Sequence, residues 1–377
     1  MIKDNIPMEN KEKENKLSVS FAAIEPYVAD NIIRNIQKEV RGKDIIEYGE
    51  RNLYPQYLYD LFENVSLLKS IINGIADYVG GEEIKINIPL FAEKVNSVGD
   101  TVEDIVRQIV LDYGIYGGFA LNVLRNRFGK VAEIYVLDFK NVRSNKKNTV
   151  FYYSEDWGEK SIGRVMATKY PKFDPNDKAP SSIYYYKADR YNTYPSPGWS
   201  GAVEDAECLK HISEFHLNSL YNGLSSDYII NFNNGVPTDE QKAEIEENID
   251  SKYTGFQNGS RSLICFNPDM TKRTTIEAIP QSNFIDRYNA METTAIKNIF
   301  TAFRIHPVLC GVPTEGTGFA DQDFAEGFKI TNKTIILPIQ KMIKRAFEYI
   351  FQEKEVITIK PLTINFKDDN TPIGFVQ

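Results

Sequence analysis

The chain has 377 residues, 42% of them hydrophobic, with 44 Lys and Arg against 52 Asp and Glu and a formal net charge of −8. That length allows two or three cores, and the acidic balance excludes a protein that grips nucleic acid through a generally basic surface. Three cysteines (Cys208, Cys265, Cys310) argue against a disulfide framework. The opening residues form no apolar leader, and no run nears the roughly 20 apolar residues of a membrane span, so a soluble, intracellular product is expected.

Residues 1–17 are mostly charged or amide-bearing and read as a disordered arm, or as one that orders on a neighbouring subunit. A helix is predicted from about Gln56 to Val79, because Leu58, Leu61, Phe62, Val65, Leu68, Ile71, Ile72, Ile75 and Val79 follow three-and-four spacing; Gly80-Gly81 ends it. A second helix starts at Thr101, which pairs with Asp104 as a capping box, and Gly114, Gly117 and Gly118 interrupt its pattern. Strand-like runs follow at 120–125, 131–141, 150–153, 163–170 and 182–187, an antiparallel region closed by Pro195, Pro197 and Gly198.

A helix is predicted from about Ala202 to Leu224. After it comes a compact strand–turn–helix–turn–strand module between Asp227 and Asp269, with strands 227–234 and 262–266 around a helix at 239–253. Thr238 and Gln241 form its capping box. Ile245, Ile249 and Tyr253 make its apolar stripe; Glu240, Glu244, Glu246, Glu247 and Asp250 make the rest acidic. That face is either solvated or a docking surface for a basic partner. A long helix from about Asn283 to Ile305 ends at His306-Pro307, since proline disfavours helix in the residue before it. A loop rich in Gly, Pro and Thr leads into a last long helix, about Asp321 to Glu353, which Pro338 should kink. Strands at 356–360 and 362–366 close the chain.

Chemistry is sparse. No Gly-x-x-x-x-Gly-Lys-Ser/Thr phosphate loop and no Gly-x-Ser-x-Gly elbow occurs. Cys208 and His211 share a helical face but lack further ligands for a zinc set. Asp77, Glu83 and Lys85 superficially follow the acid, acid-x-Lys order of a metal-dependent nuclease, but three common residue types across a helix end and a short strand read as a solvated strand edge. Cys310, four residues after His306, reads as a small apolar thiol rather than a nucleophile. From Ile305 to Phe328 there is no Lys or Arg, and the charges are Glu315, Asp321, Asp323 and Glu326. This is either ordinary acidic capping of the next helix or a loop lining a passage for a polyanion without binding it.

The order of elements resembles the portal proteins of tailed bacteriophages, particularly the shorter ones. The resemblance runs over about 47–352. It rests on the strand ending Phe232-Asn-Asn-Gly-Val-Pro237, the helix 239–253, the strand Leu263-Ile-Cys-Phe266, Asp286 and Arg287 near the start of the next helix, Phe303-Arg-Ile-His-Pro-Val-Leu-Cys-Gly311, and the helix through Pro338. Tyr113-Gly-Ile-Tyr-Gly-Gly-Phe-Ala-Leu-Asn122, leading into Val136-Leu-Asp-Phe-Lys-Asn-Val-Arg143, looks like the family's wing segment. The resemblance implies an α+β portal fold: an arm at 1–46, a wing at 47–199, stem helices at 200–224 and 282–305, a clip at 225–281, a tunnel loop at 306–320, and a wing helix with a short crown at 321–377. It implies no enzyme, no cofactor and no metal. It implies a ring of about twelve copies at a capsid vertex of the virion, assembled in the host cytoplasm. Double-stranded DNA passes through the ring, which contacts the large terminase subunit, head–tail adaptor or neck proteins and the major capsid protein. Pro313, Thr314, Glu315, Gly316, Thr317 and Gly318 would form the DNA-channel loop; Phe232, Asn234, Glu244, Glu247, Ile264 and Phe266 would carry clip assembly and docking. The alternatives are a head–tail adaptor, a minor capsid protein, or a metal-dependent DNA-processing enzyme.

Overall fold

The computed structural model describes residues 18–20, 32–40, 42–157, 167–222, 228–232, 237–238, 240–241, 244, 262–266, 275–278, 284–312 and 321–362. Strand β1 (Ser18–Ser20) comes first. The predicted 56–79 helix is two helices, α1 (Tyr54–Asn64) and α2 (Ser66–Gly80), because Val65 is extended at φ −104 and ψ 103. The apolar stripe runs through this break, with Leu61, Val65 and Leu68 all buried. Periodicity therefore gave no sign of it. Strand β2 (Glu83–Ile86) follows.

Helix α3 (Val102–Tyr116) starts at Thr101 with both halves of the capping box made. Gly114 does not break it: a Cβ there would lie 2.8 Å from Ile72 Cγ2, so this glycine allows α3 to approach α2. Gly117 does end it, at φ 78. Strands β3 (Gly118–Arg125) and β4 (Val131–Leu137) form a hairpin. The predicted 131–141 strand stops at Leu137, and a 3-10 turn at Phe139–Asn141 separates it from β5 (Val142–Ser144). Then come β6 (Val150–Tyr153), β7 (Thr168–Pro171) and β8 (Ser181–Lys187). These six strands make two antiparallel sheets, ordered β4-β3-β8 and β5-β6-β7.

Helix α4 (Val203–Asn222) precedes strands β9 (Tyr228–Phe232), β10 (Ser262–Phe266) and β11 (Thr275–Ala278), the last unforeseen in the sequence. Helix α5 (Phe284–Phe303) follows. The last long helix is α6 (Asp321–Thr331), a π-helical stretch at Asn332–Ile336, and α7 (Leu337–Phe351). Pro338 has no N–H to give the carbonyl four residues back, and the wider π turn lies immediately before it. Strand β12 (Ile357–Lys360) pairs antiparallel with β2. The 362–366 strand falls mostly outside the described residues.

The chain divides into two compact units, Met1–Ala29 with His211–Met291, and Asp30–Lys210 with Glu292–Gln377. In the smaller unit the four-stranded sheet runs β1-β10-β9-β11, with β10 and β9 parallel and both outer pairings antiparallel. Phe215 stacks on Tyr288 at 5.1 Å. In the larger unit, Leu58, Leu61, Leu68, Ile71, Ile105, Ile109, Ile343 and Phe347 are fully shielded and join α1, α2, α3 and α7 in one core. Gln340 Nε2 donates to the Val79 carbonyl at 2.9 Å, tying α7 to the last turn of α2.

A buried cation organises the entry to α1. Arg143 is wholly shielded. It donates to Asn52 Oδ1 and the Asn52 carbonyl at 2.6 Å each and to the Lys140 carbonyl at 2.7 Å. Its guanidinium lies over the Trp157 and Tyr48 rings. Burial lowers its pKa to about 10, so it stays charged at neutral pH, with oxygen dipoles and ring faces standing in for a carboxylate.

Candidate interaction site

In the larger unit, α5 ends in a Schellman arrangement. Ile305 N–H donates to the Phe300 carbonyl at 3.4 Å and Arg304 N–H to the Thr301 carbonyl at 3.1 Å. The residue that must turn left-handed is Arg304, at φ 57. Glycine is the usual occupant, because a side chain there meets the following carbonyl. His306 then caps a short 3-10 turn, Pro307–Cys310, its Nδ1 accepting from Val308 N–H at 3.4 Å. Gly327 on α6 faces this turn. A Cβ there would come within 3.1 Å of His306 Cβ, so the glycine sets how closely α6 approaches.

These elements enclose one side of an open groove of about 840 Å³. Ile296, Phe300 and Ile305 give it an apolar wall from α5 and its exit, Val312 lies at the mouth of the following loop, and Ile330 faces it from α6. Ile330 is 62% exposed. Among the described residues the charged side chains lining it are Lys297 and Arg304, with no carboxylate. Among the described residues neither cation has an ion-pair partner.

The six predicted channel-loop residues, Pro313 to Gly318, lie outside the described residues, as do Asn234 and Glu247. Glu244 is helical and exposed. The capping box of its helix is present, with Thr238 N–H to Gln241 Oε1 at 3.1 Å and Gln241 N–H to Thr238 Oγ1 at 3.4 Å. Phe232 lies in β9, Ile264 and Phe266 in β10. Strand β10 is not a sheet edge: β1 pairs Ser18 with Phe266 and Ser20 with Ile264, and β9 pairs along the other side. Its backbone is therefore already taken by the chain's own strands. Lys297, Arg304 and Ile330 were not legible as a set; the one local signal is an arginine, rather than a glycine, just past the end of α5.

The other constellations are held in different ways. Asp77 is paired with Arg107, and Glu83 with Lys85 at 2.9 Å, all on exposed positions. Burial pushes the Cys310 thiol up to about 11, so it is not a ready nucleophile. His211 Nδ1 lies 3.0 Å from Glu214 Oε2. Among the described residues no three His, Cys, Asp or Glu side chains gather as a metal set, and no helix is long and apolar enough to cross a membrane.

No protein-family model and no curated protein matches the chain. Solved structures do. A chain in the virion of a native gene transfer agent (GTA) particle matches over 82% of this chain and 84% of its own, with a TM-score of 0.52 and 16% identity. A chain in the neck of the native GTA particle, computed with C12 symmetry, matches over 84% and 86%, again at 0.52 and 16%. An HK97 family phage portal protein from Corynebacterium diphtheriae overlaps more loosely, at a TM-score of 0.45 and 9% identity over 77% of this chain and 88% of its own. The chain thus has the α+β fold of a GTA particle neck chain.

Proposed function

We propose that the chain is a portal-type virion protein, a non-enzymatic subunit of a ring that conducts double-stranded DNA. The observation that carries this reading is the fold shared along more than four-fifths of the chain with a GTA neck chain in a structure computed with C12 symmetry. The portal-like element order in the sequence supports it independently. In this reading, residues 225–281 form the clip, where the large terminase subunit docks during packaging and neck proteins later, and residues 306–320 border the channel. The wing meets the major capsid protein at one vertex of the shell. Energy for DNA movement comes from the terminase, in keeping with a chain that has no phosphate-loop motif.

The direct test is negative-stain imaging of the purified protein. Closed rings with a central channel, about twelve subunits each, are expected. A protein that stays monomeric under all conditions, or particles without a channel, would end the reading.

A further inference from the structure

We infer that one exposed face of the last long helix (α6, the π stretch and α7), carrying Lys329, Lys333, Lys341 and Arg345, meets the phosphate backbone of double-stranded DNA. The inference rests on the ring reading above and adds where along the chain that DNA is touched.

The charge is concentrated in sequence. From Gly327 to Phe347 there are five Lys and Arg residues and no Asp or Glu, in a chain of net charge −8. A basic stripe along a helix is the electrostatic footprint of nucleic-acid binding. Four of the five side chains stand in solvent: Lys329, Lys333, Lys341 and Arg345 are exposed, and so are Thr334, Pro338 and Tyr349 on the same face. Lys344 is half-buried at the edge of this face. The opposite face enters the core through Phe328, Ile335, Ile339, Ile343 and Phe347. Glu326 and Glu348 bracket the row in sequence, and Glu348 Oε1 accepts the Glu355 N–H at 3.2 Å.

The π-helical stretch at Asn332–Ile336 aligns the row. Leu337 N–H donates there to the Asn332 carbonyl, five residues back. An α-helix turns about 100° per residue, so an uninterrupted one would set Lys329 and Arg345 about 160° apart, on opposite faces. A turn closed by an i→i+5 bond absorbs about one extra residue, which brings the two within about 60°. Lys333 and Lys341 come within about 20° of each other in the same way. The row then runs about 24 Å along the helix axis. Single π turns are frequent at functional sites, and this one turns a dispersed set of cations into a line.

The face favours phosphate over a protein partner. Cores of protein interfaces are apolar and poor in lysine. Here three of the four cations are lysines, Thr334 and Pro338 lie between them, and the large apolar side chains Ile330 and Tyr349 are exposed near the two ends. Surfaces that meet DNA are polar and positive, and Lys, Arg and Tyr side chains supply their phosphate contacts. Such contacts are independent of base sequence and let DNA slide, as a conduit requires.

The salt dependence of DNA binding by purified rings tests the inference, with a short random-sequence duplex as the probe. Each phosphate contact removed lowers the slope of log K against log salt by about 0.9. Lys341→Gln should lower it by at least about 0.9, and Lys329→Gln with Lys333→Gln, or Lys341→Gln with Arg345→Gln, by about twice as much. Lys344→Gln removes the same charge from the edge of the face and should leave the slope unchanged. Arg345→Lys keeps the charge and should keep the slope. All the stripe side chains are exposed, so melting temperature and ring assembly should match the wild type throughout.

Equal losses from Lys341→Gln and Lys344→Gln would reduce the effect to net charge and overturn the inference. Wild-type slopes in both double variants would overturn it too, as would wild-type rings that do not bind the duplex. Double variants that fail to form rings where the wild type succeeds would assign the face to an acidic protein neighbour instead. In each of these cases channel-bearing wild-type rings leave the ring reading standing. Monomeric wild-type protein would remove the ring reading itself, and this contact with it.

Discussion

Asp112 carries an unsatisfied charge problem inside the larger unit. Its Oδ2 is shut off from solvent and has no hydrogen-bond partner among the described residues. Burial is the main cause that raises its carboxyl pKa well above the ordinary value; Asp138 adds to it and Lys140 opposes it. The unfolded chain gives up this proton near pH 4, whereas the folded chain holds it to higher pH. The stabilising difference is fully present below about pH 4 and is lost as pH rises through the folded pKa. Asp112→Asn removes that titration. Its thermal stability should vary less between pH 4 and pH 8 than the wild type's, and its urea midpoint at pH 8 should be higher. An unchanged pH profile would show that Asp112 ionises freely in the fold. Neither Asp112 nor Arg143 stands out in the sequence. Each becomes unusual only when strands and helices distant along the chain close over it, as Asn52 and Trp157 do over Arg143.

At the scale of elements, local chemistry marked starts and stops well. The Thr101 and Thr238 boxes are made by the side chains expected, and Gly81 and Gly117 sit at helix ends with positive φ. What local chemistry could not show was a break inside an unbroken apolar stripe, as at Val65, or short strands such as β1 and β11 that exist through their partners. The expected kink near Pro338 takes the form of a π segment over Asn332–Ile336, which a proline alone does not specify. Gly327 belongs to this scale too, since it sets the approach of α6 to the turn after α5. Gly327→Ala should destabilise the fold by about 1–3 kcal/mol, the range for forcing an extra carbon into a packed contact. Denaturant unfolding reads it directly, and a loss below about 0.5 kcal/mol would mean that His306 moves aside at little cost.

For the whole molecule, the proposed ring makes the loop after Val312 a channel element. Deleting Pro313–Gly318 should leave rings assembled, yet DNA packaging or retention should fall. Normal packaging by the deleted protein would remove the channel role from this loop. The sequence by itself determined the mix of helices and antiparallel strands, where most helices start and stop, the strands on either side of the module between α4 and α5, and the acidic, base-free stretch after α5. All of these follow from periodicity, caps and composition, which act over a few residues. Tertiary structure decided which strand covers β10, that two cations share one apolar groove, and which carboxyl loses its water. Those properties arise when segments separated along the chain, from tens of residues around the groove to more than two hundred between β1 and β10, share one environment, and no local pattern encodes the dielectric or the neighbours that result.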